Sequence, residues 1–121
     1  GSQRMNIIDA TAGPAGSLSV AGQTIVVDPP VEAMTQNTPV RFGIRPEHLT
    51  IGENRGSSFE ATVDFAEYLG GTRYLYCRLP DGQDLTVEQR EGEDHASGER
   101  IWLTCQKGCM RLFSPDGERL R

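Results

Sequence analysis

The sequence predicts an all-β chain, and three observations carry that prediction. Apolar residues alternate with polar ones over short runs, the period of a strand with one buried face, and no window holds a long helical apolar stripe. The runs are punctuated by Gly, Pro and Asp-Gly turns. About eight of them follow one another at the spacing of a barrel or sandwich.

Taken in order, Leu18 with Val20 and Ile25 with Val27 flank Ala21-Gly22-Gln23, a hairpin with a three-residue loop. The Pro-rich stretch from Asp28-Pro29-Pro30 to Asn37-Thr38-Pro39 reads as a loop that joins an N-terminal β-layer to the rest. Val40, Phe42 and Ile44 then place one apolar face on a strand. It stops at Pro46, which lacks an amide hydrogen and disfavours helix in Arg45. Phe59, Ala61, Val63 and Phe65 form the next stripe, with Glu60, Thr62 and Asp64 facing the other way. A turn at Leu69-Gly70-Gly71 leads to Leu75, Cys77 and Leu79, and Asp81-Gly82 turns the chain toward Leu85 and Val87. Arg90 to Gly98 is charged, carries His95 and reads as an exposed turn. Ile101, Leu103 and Cys105 supply a further strand.

The 121 residues make one domain, with a core but no room for two. A hydrophobic fraction of 36% and a mean hydropathy of −0.45 describe a soluble chain. Its longest aliphatic run, Ile25-Val26-Val27, is far short of the ~20 apolar residues that cross a bilayer. No charged start followed by an apolar stretch marks a signal peptide. A net charge of −5 argues against nucleic acid, whose phosphates would be repelled over most of the surface. Cys77, Cys105 and Cys109 form an odd set, expected as reduced thiols in the cytosol.

The run Phe42-Gly43-Ile44-Arg45-Pro46-Glu47-His48-Leu49 resembles the G-I-R-P-E-H-L segment of the C-terminal regulatory domain of sugar-importer ATPase subunits. The maltose and glycerol-3-phosphate importers represent that family, whose ABC ATPase domain carries a small β-barrel tail of the transport-associated OB (TOBE) class. Gly1-Ser2-Gln3-Arg4-Met5-Asn6 is similar to the family's G-S-P-x-M-N exit from the ATPase domain, with Gln3 in place of proline. Phe59 to Leu79 is similar to the hairpin that follows, and Leu112-Phe113-Ser114-Pro115-Asp116-Gly117 to the closing strand and turn. The chain departs from the family at Gln106-Lys107-Gly108, where a proline-rich turn often stands.

The resemblance implies an OB-like barrel from residues 40–121 with residues 1–39 as an additional N-terminal β-layer and linker. It implies a regulatory and dimerisation domain whose parent subunit hydrolyses ATP with Mg to drive import. The ATPase domain is absent from this chain. Expected partners are that ATPase domain, a second copy of the subunit, the permease subunits through the ATPase domain, and a regulatory protein. The expected place is the cytoplasmic side of the inner membrane, as a peripheral subunit. Related barrels in molybdate systems bind oxyanions, which makes an oxyanion module the alternative; an OB-fold nucleic-acid binder is the other.

No catalytic, cofactor or metal residue is assigned. A phosphate loop needs G-x-x-x-x-G-K-[ST], and the sole lysine, in Gln106-Lys107-Gly108-Cys109, cannot serve. No serine sits in a nucleophile elbow, and only His48 and His95 offer candidate bases. The cysteines and histidines stand at spacings unsuited to zinc. Candidate contact residues are Arg45, Pro46, Glu47 and His48, where proline starts one helical turn at a barrel corner. An internal salt bridge that orients the corner is favoured there over direct ligand contact. Tyr74, Tyr76 and Trp102 lie on faces opposite Leu75 and Leu103: a stacking platform on a lone barrel, or aromatics covered by packing or by a protein partner. For an oxyanion, only Gly13-Pro14-Ala15-Gly16-Ser17 and Gly56-Ser57-Ser58 offer amides and hydroxyls.

Overall fold

The computed structural model describes residues 4–52 and 57–121, so Gly1-Ser2-Gln3 and Gly56 lie outside the described residues. Within them the chain is all-β. The strands are β1 (Asn6–Ala12), β2 (Ser17–Val20), β3 (Gln23–Val26), β4 (Pro39–Ile44), β5 (Leu49–Gly52) and β6 (Phe59–Leu69). They continue with β7 (Thr72–Arg78), β8 (Asp84–Gln89), β9 (Arg100–Cys105), β10 (Arg111–Phe113) and β11 (Arg119–Leu120). One sheet has the order β11-β10-β4-β1-β2-β3 and the other β5-β9-β6-β7-β8. The strands before Pro39 therefore share a sheet with β4, β10 and β11. The second sheet curls until its edges β5 and β8 approach, but among the described residues no ladder of hydrogen bonds closes it.

The turns follow from residues that tolerate positive φ. Val20 pairs with Gln23, so the first hairpin has a two-residue loop, Ala21-Gly22 at φ 50° and 79°, and not the expected three. Positive φ at both central residues matches the right-handed twist of the flanking strands, and Gln23 is thereby freed to open β3. Gly70-Gly71, at φ 58° and 83°, does the same between β6 and β7. Strands β1, β5 and β11 extend the set read from alternation. β1 hides from that reading because Ile7 points outward beside inward Ile8.

One core fills the space between the sheets. Ile8, Leu18, Val20, Ile25 and Phe42 from the first sheet meet Phe59, Val63, Leu75, Leu85 and Leu103 from the second. Phe42 and Phe59 touch edge-to-face, with ring centroids 6.4 Å apart.

Three side-chain carboxamides tie the sheets where strands do not pair. Asn6 donates to the Thr86 carbonyl at 2.9 Å and accepts from its N–H at 2.8 Å. Gln23 does the same with Glu60, at 3.2 and 2.7 Å. Gln83 does it with Asp9, at 3.0 and 2.7 Å. Each amide presents one donor and one acceptor, as a strand residue would, and so satisfies backbone groups left open at a seam.

Candidate interaction surfaces

The motif around β4 is explained by its two faces. Phe42 and Ile44 point into the core and are fully buried. Gly43 points outward, beneath Met5, Ile7 and Phe113. A Cβ there would stand 2.7 Å from Met5 Sδ and 3.0 Å from a Phe113 ring carbon, so a side chain at this position would push Met5 and Phe113 off the strand. Arg45 is extended, and buried Pro46 opens a 3-10 turn over Pro46–His48 that packs against β8. The His48 N–H donates to the Arg45 carbonyl at 3.0 Å, and the His48 carbonyl accepts from Gln106 N–H at 2.7 Å. The expected salt bridge is a correction: among the described residues no ion pair involves Arg45, Glu47 or His48. Backbone bonds and the burial of Pro46 hold the corner, and Arg45 is exposed.

The three aromatics are not brought together. Tyr74 and Tyr76 share the face of β7 opposite Leu75, whereas Trp102 lies on β9 with β6 between. Tyr76 stands opposite Phe65 and Trp102 opposite Glu60, so along β6 they are about 16 Å apart. Tyr74 is buried, and its hydroxyl donates to Glu88 at 3.2 Å. Tyr76 stacks on Phe65 at 4.7 Å and donates to Glu67 at 3.0 Å. Desolvation first, then Glu67, pushes its phenol above the ordinary range. Trp102 is half-buried and borders a cavity of about 540 Å³ between β5, β8 and the loop after β8.

The end of the β6–β7 hairpin is a surface that alternation misassigned. Phe65 was expected on the buried stripe with Val63. A register shift at Asp64 instead pairs Val63 with Cys77 and Phe65 with Tyr76, which turns Phe65 to the outer face. Phe65, Tyr68 and Leu69 are 55%, 62% and 49% exposed. Arg73, nearly buried, anchors this arm to the loop after β8. It donates to Gln89 Oε1 at 2.7 Å, the Glu93 carbonyl at 2.8 Å and the Tyr68 hydroxyl at 3.0 Å, and it pairs with Asp94. The loop is exposed as expected at residues 90–94 and 96–98, yet it is pinned, and His95 within it is half-buried and hydrogen-bonded to Glu99. That bond, then one from Ala96 N–H, holds the Glu99 carboxyl below its usual range. The Gly70-Gly71 turn signalled the hairpin; nothing in the local pattern signalled the partners of Arg73.

Groups with nucleophilic or ligand chemistry lie apart. Burial first pushes the Cys77 and Cys105 thiols up to about 12, with Asp64 and Cys109 respectively adding to it. Among the described residues no three His, Cys, Asp or Glu side chains stand close enough to share a metal ion. In the loop after β1 the Ser17 hydroxyl donates to the Pro14 carbonyl at 2.7 Å, and Gly13 N–H to the Ser17 carbonyl, so these two donors are used within the loop. Ser57 accepts from Val26 N–H at 3.0 Å, and the Ser58 and Thr104 hydroxyls stand 2.9 Å apart.

Comparison with known proteins finds two family matches that tile the chain: the MalK OB fold domain over residues 1–49 and the TOBE domain over residues 42–113. Curated relatives include an uncharacterised ABC transporter ATP-binding protein, y4oS, of Sinorhizobium fredii, 35% identical across 96% of this chain and 31% of its own length. The alpha-glucoside transport ATP-binding protein AglK of Rhizobium meliloti is 30% identical across 100% of this chain and 35% of its own. The sn-glycerol-3-phosphate import ATP-binding protein UgpC of Chromobacterium violaceum is 28% identical across 98% and 32%. The chain thus spans about a third of the length of these relatives. Among solved structures, the cytoplasmic molybdate-binding protein ModG superposes with a TM-score of 0.71 over 94% of this chain and 98% of its own, at 13% identity. At that identity the likeness is one of fold.

Proposed function

The chain belongs to the TOBE domain family, and from that premise we propose that it is the C-terminal regulatory and dimerisation domain of the ATP-binding subunit of an ABC importer for sugars or related solutes. The observation that carries this is the tiling: both family matches together span nearly the whole chain, and relatives named as importer ATP-binding proteins match it end to end. In this reading ATP and Mg are handled by the part of the parent subunit that this chain does not include. The chain acts by contact, with its own ATPase domain, with a second subunit and with a regulatory protein. The ATPase domain in turn meets the permease, at the cytoplasmic face of the inner membrane; no helix of the described residues is long and apolar enough to cross a membrane.

An oxyanion module is supported less well. ModG shares the fold, but the Ser17 hydroxyl and the Gly13 amide are used within their own loop and Gly56 lies outside the described residues. The test separates the readings. In the parent subunit, removing this chain is expected to change ATP affinity less than tenfold, and titration calorimetry of the chain with molybdate, tungstate or sulfate is expected to give no saturable heat. A loss of ATP binding would place part of the nucleotide site here and contradict the proposal. Saturable heat would favour the oxyanion reading.

A further inference from the structure

The β6–β7 arm is the part of the second sheet that the core does not use. β6 pairs with β9 from Phe59 to Thr62 and with β7 from Thr62 to Leu69. Val63 still exchanges backbone hydrogen bonds with Gly98 and Glu99. From Asp64 on, the described residues place no strand along that side, so the edge of β6 is open. All five residues from Phe65 to Leu69 are exposed, which leaves both faces of this half-strand bare. Phe65 and Leu69 lie on one face with Tyr76, on which Phe65 stacks, and Tyr68 lies on the other beside Arg73.

Large apolar side chains on a strand with an open edge are a liability for a domain that stands alone. Two strands by themselves are marginal in water, yet this pair is held in one place. Arg73 ties it to Gln89 and to the loop after β8, and its guanidinium lies 5.2 Å from the centre of the Tyr68 ring. A surface fixed in advance loses little freedom when something docks on it.

The path of β1 points to the occupant. Gln83 bonds both backbone groups of Asp9, and Asn6 bonds both of Thr86, so β1 runs antiparallel along the edge of β8. Followed backward from Asn6, the chain heads toward Gln89, the residue to which Arg73 fastens the arm. In the proposed function this chain is the C-terminal third of its subunit, so the ATPase domain is joined ahead of Arg4, on the flank where the arm is anchored. We propose that the arm is the seat of that ATPase domain. Phe65, Leu69 and Tyr76 on one face and Tyr68 on the other pack into an apolar patch of it, and the open edge of β6 offers it backbone donors and acceptors. The inference rests on the proposed function and goes beyond it by naming the surface. Glu67 and Asp94 hydrogen-bond the hydroxyls of Tyr76 and Tyr68, so the facing patch should carry Lys or Arg. A second copy of the chain suits the arm less well, because a two-fold contact would set these carboxylates against their own kind.

Amide hydrogen exchange, measured on this chain alone and on the full-length subunit, tests the proposal. In the subunit the amides of residues 64–71 should exchange at least about tenfold more slowly than in the chain alone, while β9 is protected equally in both. Phe65→Ser with Leu69→Ser, both at exposed positions, should restore the fast rate in the subunit and leave the chain alone unchanged. Circular dichroism and the melting midpoint check that the variant is folded. Equal rates in chain and subunit, or a variant subunit that keeps the slow rate, would each overturn the proposal. Slowing in the chain alone that grows with its concentration would also overturn it, since the occupant would then be a second copy. The importer reading is judged by ATP binding of the subunit, so a subunit that binds ATP and leaves the arm fast contradicts the arm's role alone.

Discussion

Gln23 shows how single residues close this fold. Its amide occupies the backbone donor and acceptor of Glu60 in the facing sheet. Gln23→Ala should cost about 1–3 kcal/mol, because it leaves partly buried backbone groups without partners. A chemical denaturation midpoint unchanged from wild type would show that water replaces the amide at no cost. The thiols give a second residue-level expectation, on pH. Cys77 and Cys105 have folded values raised from 9.0 to about 12. A raised value means stability that is full below the unfolded value and is lost as pH rises through the folded one, so stability should fall between pH 9 and about 12. At pH 8 a thiol reagent should reach the half-buried Cys105 and Cys109, and buried Cys77 only on unfolding. Equal rates at all three would contradict the buried placement of Cys77.

Among the elements, the β6–β7 arm and the loop after β8 act as a pair held by Arg73. Arg73→Ala removes its bonds to Gln89, Glu93 and Tyr68 and its ion pair with Asp94. The expected outcome is faster amide exchange confined to residues 90–98 and cleavage there by a glutamate-specific protease, with the core strands still protected. Unchanged exchange would show that the loop is held by other contacts. Most strands were legible because one face is buried and the other is wet, which writes alternation into the sequence. Phe65 was misread because a one-residue bulge at Asp64 switches faces without altering composition. The salt bridge expected at Arg45 failed for a different reason. Local spacing puts opposite charges near one another, but the turn is already fixed by backbone bonds and by Pro46. The row of Arg119, Phe113, Arg41 and Asp9 across β11, β10, β4 and β1 was invisible for a third reason: its members are far apart in sequence and meet only through strand register.

The described residues form two sheets around one core, with a projecting arm and a corner fixed by Pro46. Such an object offers surfaces to other proteins, which agrees with its family. A weak contact between two copies gains force when the rest of the parent subunit holds them together, because the effective concentration of tethered partners reaches the millimolar range, on the order of what a weak interface needs. In the proposed function this chain helps hold two importer ATP-binding subunits together. The most direct measurement of that role is the dimer dissociation constant of the nucleotide-free parent subunit, with and without this chain, by sedimentation equilibrium. Removal of the chain should weaken the dimer at least tenfold, equivalent to about 1.4 kcal/mol. An unchanged dissociation constant would contradict the account.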